Sequence, residues 1–172
     1  MSHTPSTTQS PYILSRDAIE AMPGTAKVHF LNPNGRRLNK SLGDATGLTG
    51  LGFHLIEVPV GAESTEHHRH LFEDECVYVL SGRAHVTLDE ETFEVGEGDF
   101  IGLPAGGPAH VFSNPGPEPL RCLVVGQRLT HDVGDYPRLG KRLYRNGEAW
   151  DLVDLAHIVD PKAAPGATPG KK

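Results

Sequence analysis

From Gly50 to about Arg128 the chain alternates short apolar stretches with turn residues: "LGFHLIEV", "CVYVL", "AHVTL", "TFEV", "DFIGL", "HVFS" and "LRCLVVG". Gly or Pro clusters separate most of them, and none sustains a helical period. Many short strands at this spacing predict an all-β sandwich or barrel. Upstream, "SRDAIEAM" predicts one short helix halted at Pro23-Gly24. "NPNGRR" and "SLGDATGLTG" read as turns and loop. Downstream, "YPRLGKRLYRNGEAWDLVDLAHIVD" is mixed. It carries the bases Arg138, Lys141, Arg142 and Arg145 and an apolar series Trp150, Leu152, Val153, Leu155, Ile158. It reads as an extension strapped across the barrel or onto a second copy.

The predicted organisation is therefore a loose N-terminus (1–11), an N-terminal extension (12–49), a barrel (50–128), a C-terminal extension (129–160) and a loose tail (161–172). Ser, Thr and Pro at the front and "PKAAPGATPGKK" at the back offer little apolar surface to bury. A length of 172 residues suits one core without disulfides.

Charge narrows the partners. The formal balance is −6, from 22 acids against 16 Lys and Arg, so nothing draws the chain electrostatically to nucleic acid. No stretch approaches the ~18 apolar residues of a membrane helix. The first residues, "MSHTPSTTQSPY", lack the basic and apolar regions of a secretory signal, and the expected location is the cytoplasm. Cys76 and Cys122 show no CxxC spacing and read as reduced, packed thiols.

The chemistry concentrates in "EHHRHLFEDE", residues 66–75. In an extended chain alternate residues share a face, so His68 and His70 project together while His67 and Arg69 point away. Glu73, Asp74 and Glu75 compete as a carboxylate partner. Glu75 directly precedes the buried strand "CVYVL" and shares a face with Val77 and Val79. Cys76, Tyr78 and Leu80 then face outward. His110 is the best distant candidate, opening a strand after "PAGGPA" with Phe112 and Asn114 on its face. His54 and His85 read as packing or surface histidines. Glu73, Asp74, Arg69 and His67 read as a solvated remainder.

These residues fall into two ordered motifs. The first is Gly61, six residues, His68-Arg69-His70, four residues, Glu75, six residues, Gly82. The second is Gly98, five residues, Pro104-Ala105-Gly106, three residues, His110, three residues, Asn114. Both resemble the paired motifs of the cupin superfamily, each with one extra loop residue; the first extra residue keeps His67 as the alternative to His68. The "RRLNKSLGDATGLTGLGFHL" lead-in is similar to small single-barrel cupins. The resemblance implies a double-stranded β-helix (jelly-roll) barrel holding a divalent transition metal through His68, His70, Glu75 and His110. It also implies pairing into a homodimer.

Three nitrogens and one oxygen suit Fe, Mn, Ni, Cu or Zn, and an octahedral ion so held keeps two positions for a small-molecule ligand or substrate. Two functions follow as expectations: a small metal-dependent enzyme, a dioxygenase or an isomerase/lyase acting on an oxygen-rich molecule, or a noncatalytic barrel binding a metal-chelated or sugar-like ligand. A shared fold does not choose between them.

Overall fold

The computed structural model describes residues 10–162. The loose ends expected at 1–11 and 161–172 lie almost wholly outside that range. The predicted helix forms as α1 (Arg16–Ala21), with the Ser15 hydroxyl accepting from Ala18 N–H at its start. Its last carbonyls, those of Ile19 and Glu20, accept from Lys40 Nζ at 2.8 and 3.0 Å.

Strands β1 (Thr25–His29) and β2 (Asn32–Ser41) precede a single helical turn, α2 (Leu42–Ala45). Then come β3 (Leu51–Val58), β4 (Arg69–His70), β5 (Glu75–Ser81), β6 (Arg83–Leu88), β7 (Glu91–Gly96), β8 (Phe100–Leu103), β9 (His110–Ser113) and β10 (Leu120–Gln127). The C-terminal extension adds β11 (His131–Tyr136), β12 (Lys141–Asn146) and β13 (Ala149–Asp154).

One sheet runs β1-β2-β3-β10-β5-β8. Two others run β13-β12-β11-β4 and β7-β6-β9. The last two are joined where His68 meets His110: each residue's N–H donates to the other's carbonyl, at 3.1 and 2.7 Å. The barrel is thus two antiparallel layers, one of six strands and one spliced at that bridge, and their inner faces form the core. Alternation places Ile56 and Val58, Val77 and Val79, Leu120 and Cys122 inside, while Tyr78 faces out. Gly82, at φ +86°, makes the β5–β6 turn, where a Cβ would stand 2.8 Å from the Pro119 carbonyl oxygen.

Two local expectations are corrected. "NPNGRR" is not a turn but the first half of β2. The Asn32 amide donates to Glu63 Oε2 at 2.6 Å and to Thr65 O at 3.1 Å, and Gly35 bridges to Glu63, so contacts with residues 63–65 hold the segment extended. "SLGDATGLTG" contains α2 rather than loop alone, with the Ser41 hydroxyl donating to Asp44 at 2.5 Å. Residues 129–146 reach back into the same barrel, because β11 pairs with β4 in the register Gly134↔His70 and Asp135↔Arg69.

Candidate metal centre and its pocket

Strand register explains how distant residues meet. His68 and His110 form a hydrogen-bonded antiparallel pair, so their side chains leave the sheet on the same side. His70 lies two residues from His68 and shares that face. Ring centroids are 4.7 Å apart for His68 and His110 and 5.1 Å for His68 and His70. Glu75 opens β5 on the opposite layer and points at them, with Oε1 3.4 Å from His110 Nε2. All four residues line one cavity of about 460 Å³.

The imidazoles are held by their Nδ1 atoms. His68 Nδ1–H donates to the Glu66 carbonyl at 2.8 Å, and His70 Nδ1–H to Asp132 Oδ2 at 2.6 Å. His110 Nδ1 faces the Pro108 carbonyl at 3.5 Å. Each Nε2 is left for the cavity, the tautomer that metal-binding histidines adopt when a second partner fixes the other nitrogen. His110 is 3 % exposed and its buried Nε2 has no hydrogen-bond partner among the described residues. An orphaned buried acceptor is costly, and a divalent ion would satisfy it. The donor set and this orphaned nitrogen fit a transition ion.

Electrostatics prepare the set. Burial, with the neighbouring imidazoles, pushes His68 down to about 3, so it stays neutral. Burial opposes ionisation of Glu75, but the close approach of His110 and the adjoining imidazoles outweighs it and holds Glu75 at about 2. Burial would also lower His70, yet the Asp132 bond and the surrounding carboxylates raise it.

Among the described residues, the trio whose ligand-type atoms all lie within 4.8 Å of one another is not drawn from these four alone but is His70, Glu73 and Asp132. Its carboxylates are already engaged. Glu73 Oε1 accepts from Arg145 and from Leu129 N–H, and Asp132 Oδ1 accepts from Phe72 N–H at 3.2 Å. They serve better as supports for His70 than as ligands.

Several residues differ from the solvated remainder the sequence suggested. Glu73 is 4 % exposed and paired with Arg145, and Arg69 pairs with buried Asp135 at 3.2 Å. His67 is 2 % exposed, points away from the cavity group, and neither of its ring nitrogens has a partner among the described residues. Most bases of the extension serve their own chain: Arg142 holds Asp135 through bonds of 2.6 and 3.0 Å, and Lys141 pairs with Asp154. Asn114 ties a loop, bonding the Val58 and Glu118 carbonyls and Gly116 N–H, and does not enter the cavity. Cys76 is half-buried; Cys122 is buried at the cavity floor, where burial pushes its thiol to about 12.

Sequence reading also missed cavity residues. His54 shares the inner face of β3 with Gly52 and Ile56, which strand parity could have shown. It meets the Asn39 amide at 3.3 Å, and burial, with Arg128 and Lys27 nearby, lowers its pKa. Lys27 and Arg37 line the cavity from β1 and β2. Asp132 carried no signal, because only the β11–β4 pairing brings it to His70.

The cupin domain family model matches residues 54–126. A solved structure of a proposed sugar phosphate isomerase from Acidithiobacillus ferrooxidans is 50% identical, with a TM-score of 0.87 over 89% of this chain and 98% of that one. A sugar phosphate isomerase of the cupin superfamily from Silicibacter pomeroyi is 30% identical, with a TM-score of 0.72 over 83% of this chain and 92% of that one. An uncharacterised protein of Methanocaldococcus jannaschii is 46% identical over 66 residues, which are 38% of this chain, and the match spans about half (51%) of that relative's length. Among the described residues no helix is long and apolar enough to cross a membrane. With the jelly-roll layers, the two motifs and full-length likeness to a solved cupin in agreement, the chain belongs to the cupin superfamily.

Proposed function

We propose that the chain is a metal-dependent isomerase acting on a small phosphorylated polyhydroxy carbonyl compound, with the ion held by His68, His70, Glu75 and His110. The observation that carries this reading is that His68, His70 and His110 from one layer and Glu75 from the other line one cavity of about 460 Å³, with Glu75 Oε1 3.4 Å from His110 Nε2. The names of the two full-length relatives support the substrate class.

A divalent ion bound there supplies Lewis acidity, polarising a carbonyl and making the adjacent carbon acidic. The protein's own residues do the rest. Neutral His68 and ionised Glu75 stand ready as ligands without prior proton loss. With the Asn39 amide donating to His54 Nδ1, the His54 ring proton sits on Nε2, over Gly52. From there it can donate to a substrate oxygen as charge develops. Phe112, Val77 and Val124 shield the inner cavity from water.

The test combines metal content with proton exchange. Protein purified without an affinity tag is reconstituted with single divalent ions, and deuterium incorporation from D₂O next to the carbonyl is followed by NMR across a panel of aldose and ketose phosphates. The reading expects metal bound near one per chain, exchange with at least one sugar phosphate, and loss of both in His110→Ala. Less than about a tenth of a metal per chain after reconstitution defeats the metal assignment. Binding without exchange on any substrate makes the barrel a noncatalytic ligand-binding protein.

A further inference from the structure

Lys27 and Arg37 face each other directly across the β1–β2 ladder, and both side chains line the cavity. Like charges directly opposite on adjacent strands repel. Neither has a carboxylate within ion-pairing distance among the described residues. Other bases near the cavity are committed: Arg128 to Asp44, Arg145 to Glu73, and Arg69 and Arg142 to Asp135. Half-buried Arg37 thus carries its charge into the cavity with no ion-pair partner, and exposed Lys27 adds a second charge at the cavity edge.

We infer that Lys27 and Arg37 form an anion subsite that receives the phosphate of the substrate. One of the Arg37 terminal nitrogens donates to the Ser64 carbonyl, which fixes the planar head and leaves its remaining donors for a ligand. A held guanidinium suits two-pronged recognition of phosphate, and Lys27 adds a point charge beside it. Two positive charges match a phosphomonoester, about −2 at neutral pH, better than a single carboxylate.

The subsite lies on the same inner face as Glu75, at the other side of the sheet. Three inter-strand steps, β2 to β3 to β10 to β5, separate the two strands, and the register also sets Arg37, level with Val58, along the sheet from the Gly52↔Gly126↔Glu75 row. Because Lys27, Arg37 and Glu75 line one cavity, a polyhydroxy chain would run from its phosphate at Lys27 and Arg37 toward the carbonyl end at Glu75. The substrate orientation rests on the isomerase reading; the anion subsite does not need it.

The experiment is calorimetric titration of inorganic phosphate into the metal-free full chain, with acetate as the competing anion, for wild type, Lys27→Gln and Arg37→Gln. Wild type is expected to bind phosphate at least ~10-fold tighter than acetate, and each variant to lose at least ~10-fold, the scale of one charge-assisted contact. Lys27 is exposed, so Lys27→Gln reports even if Arg37→Gln fails to fold. Arg37→Lys should keep charge but lose part of the affinity. Wild-type phosphate affinity in Lys27→Gln, acetate binding as tight as phosphate, or no phosphate binding to wild type overturns the subsite. Zinc titration of the same samples separates the two ideas. Lost zinc binding with intact phosphate binding defeats only the metal reading, and the converse defeats only the subsite.

Discussion

Replacing Asp132 by Asn tests whether this residue supports His70 or ligates the ion itself. Asp132 is 4 % exposed, and its Oδ2 accepts from His70 Nδ1 at 2.6 Å, a charge-assisted bond. Hydrogen bonds to charged groups are worth about 1.5–3 kcal/mol and neutral ones about 0.5–1.5 kcal/mol. Asn preserves shape and an acceptor oxygen but removes the charge, so His70 becomes a weaker, less firmly oriented ligand by ~1–1.5 kcal/mol. That is about a tenfold loss of metal affinity, the low end of the 10–100-fold typical of such outer partners. The assay is competition for zinc against a chromophoric chelator at about pH 8.5, where protons compete least with the raised His70. Thermal unfolding confirms that the variant is folded. An affinity within about twofold of wild type would refute the supporting role. A loss as large as that of His70→Ala, with Glu75→Gln binding normally, would place the ion among His70, Glu73 and Asp132 instead.

Other outcomes follow from the same geometry. His67→Leu should leave zinc affinity within about twofold of wild type and should not lower the melting temperature, because it buries no unpartnered nitrogen. A loss matching His68→Ala would mean that the longer loop after Gly61 had exchanged the two histidines. Gly82→Ala should destabilise by about 1–3 kcal/mol in urea melts, since it combines φ +86° with a Cβ 2.8 Å from a backbone oxygen. No loss would refute the turn strain. For Asp135, burial alone would raise the pKa, but Arg142 and Arg69 outweigh it and hold the carboxyl low. The folded value lies below the unfolded one, so its stabilisation is present above about pH 4 and is lost as pH falls through the depressed value. Asp135→Asn should therefore be less stable than wild type at neutral pH and converge with it in acid, as followed by melts from about pH 7 to pH 2.

The barrel and the candidate ligand set were legible in the chain because both are written in local periods. Alternation in "CVYVL" orients Glu75 with Val77 and Val79, and the two motifs carry their histidines at spacings a β-strand translates directly into facing. The same parity could have placed His54 beside Gly52 on the inner wall, but a lone histidine in an apolar strand carries no sign of the cavity before it. Turn chemistry misled at "NPNGRR", where bonds from Asn32 to residues 63–65 override the local preference for a bend.

What only tertiary structure decided are the pairings between residues far apart in sequence. His70 finds Asp132, Glu73 finds Arg145, and Arg69 and Arg142 share Asp135, all through the β11–β4 and β11–β12 ladders. A charge in a sequence has no partner until register supplies one. For that reason the remainder of "EHHRHLFEDE" looked like solvent-facing surface, yet His67 and Glu73 are buried and Arg69 is half-buried and paired, while Asp74 is exposed as expected. By the same logic Lys27 and Arg37, ordinary strand residues in the sequence, became conspicuous only when the β1–β2 register set them opposite each other with no acid beside them.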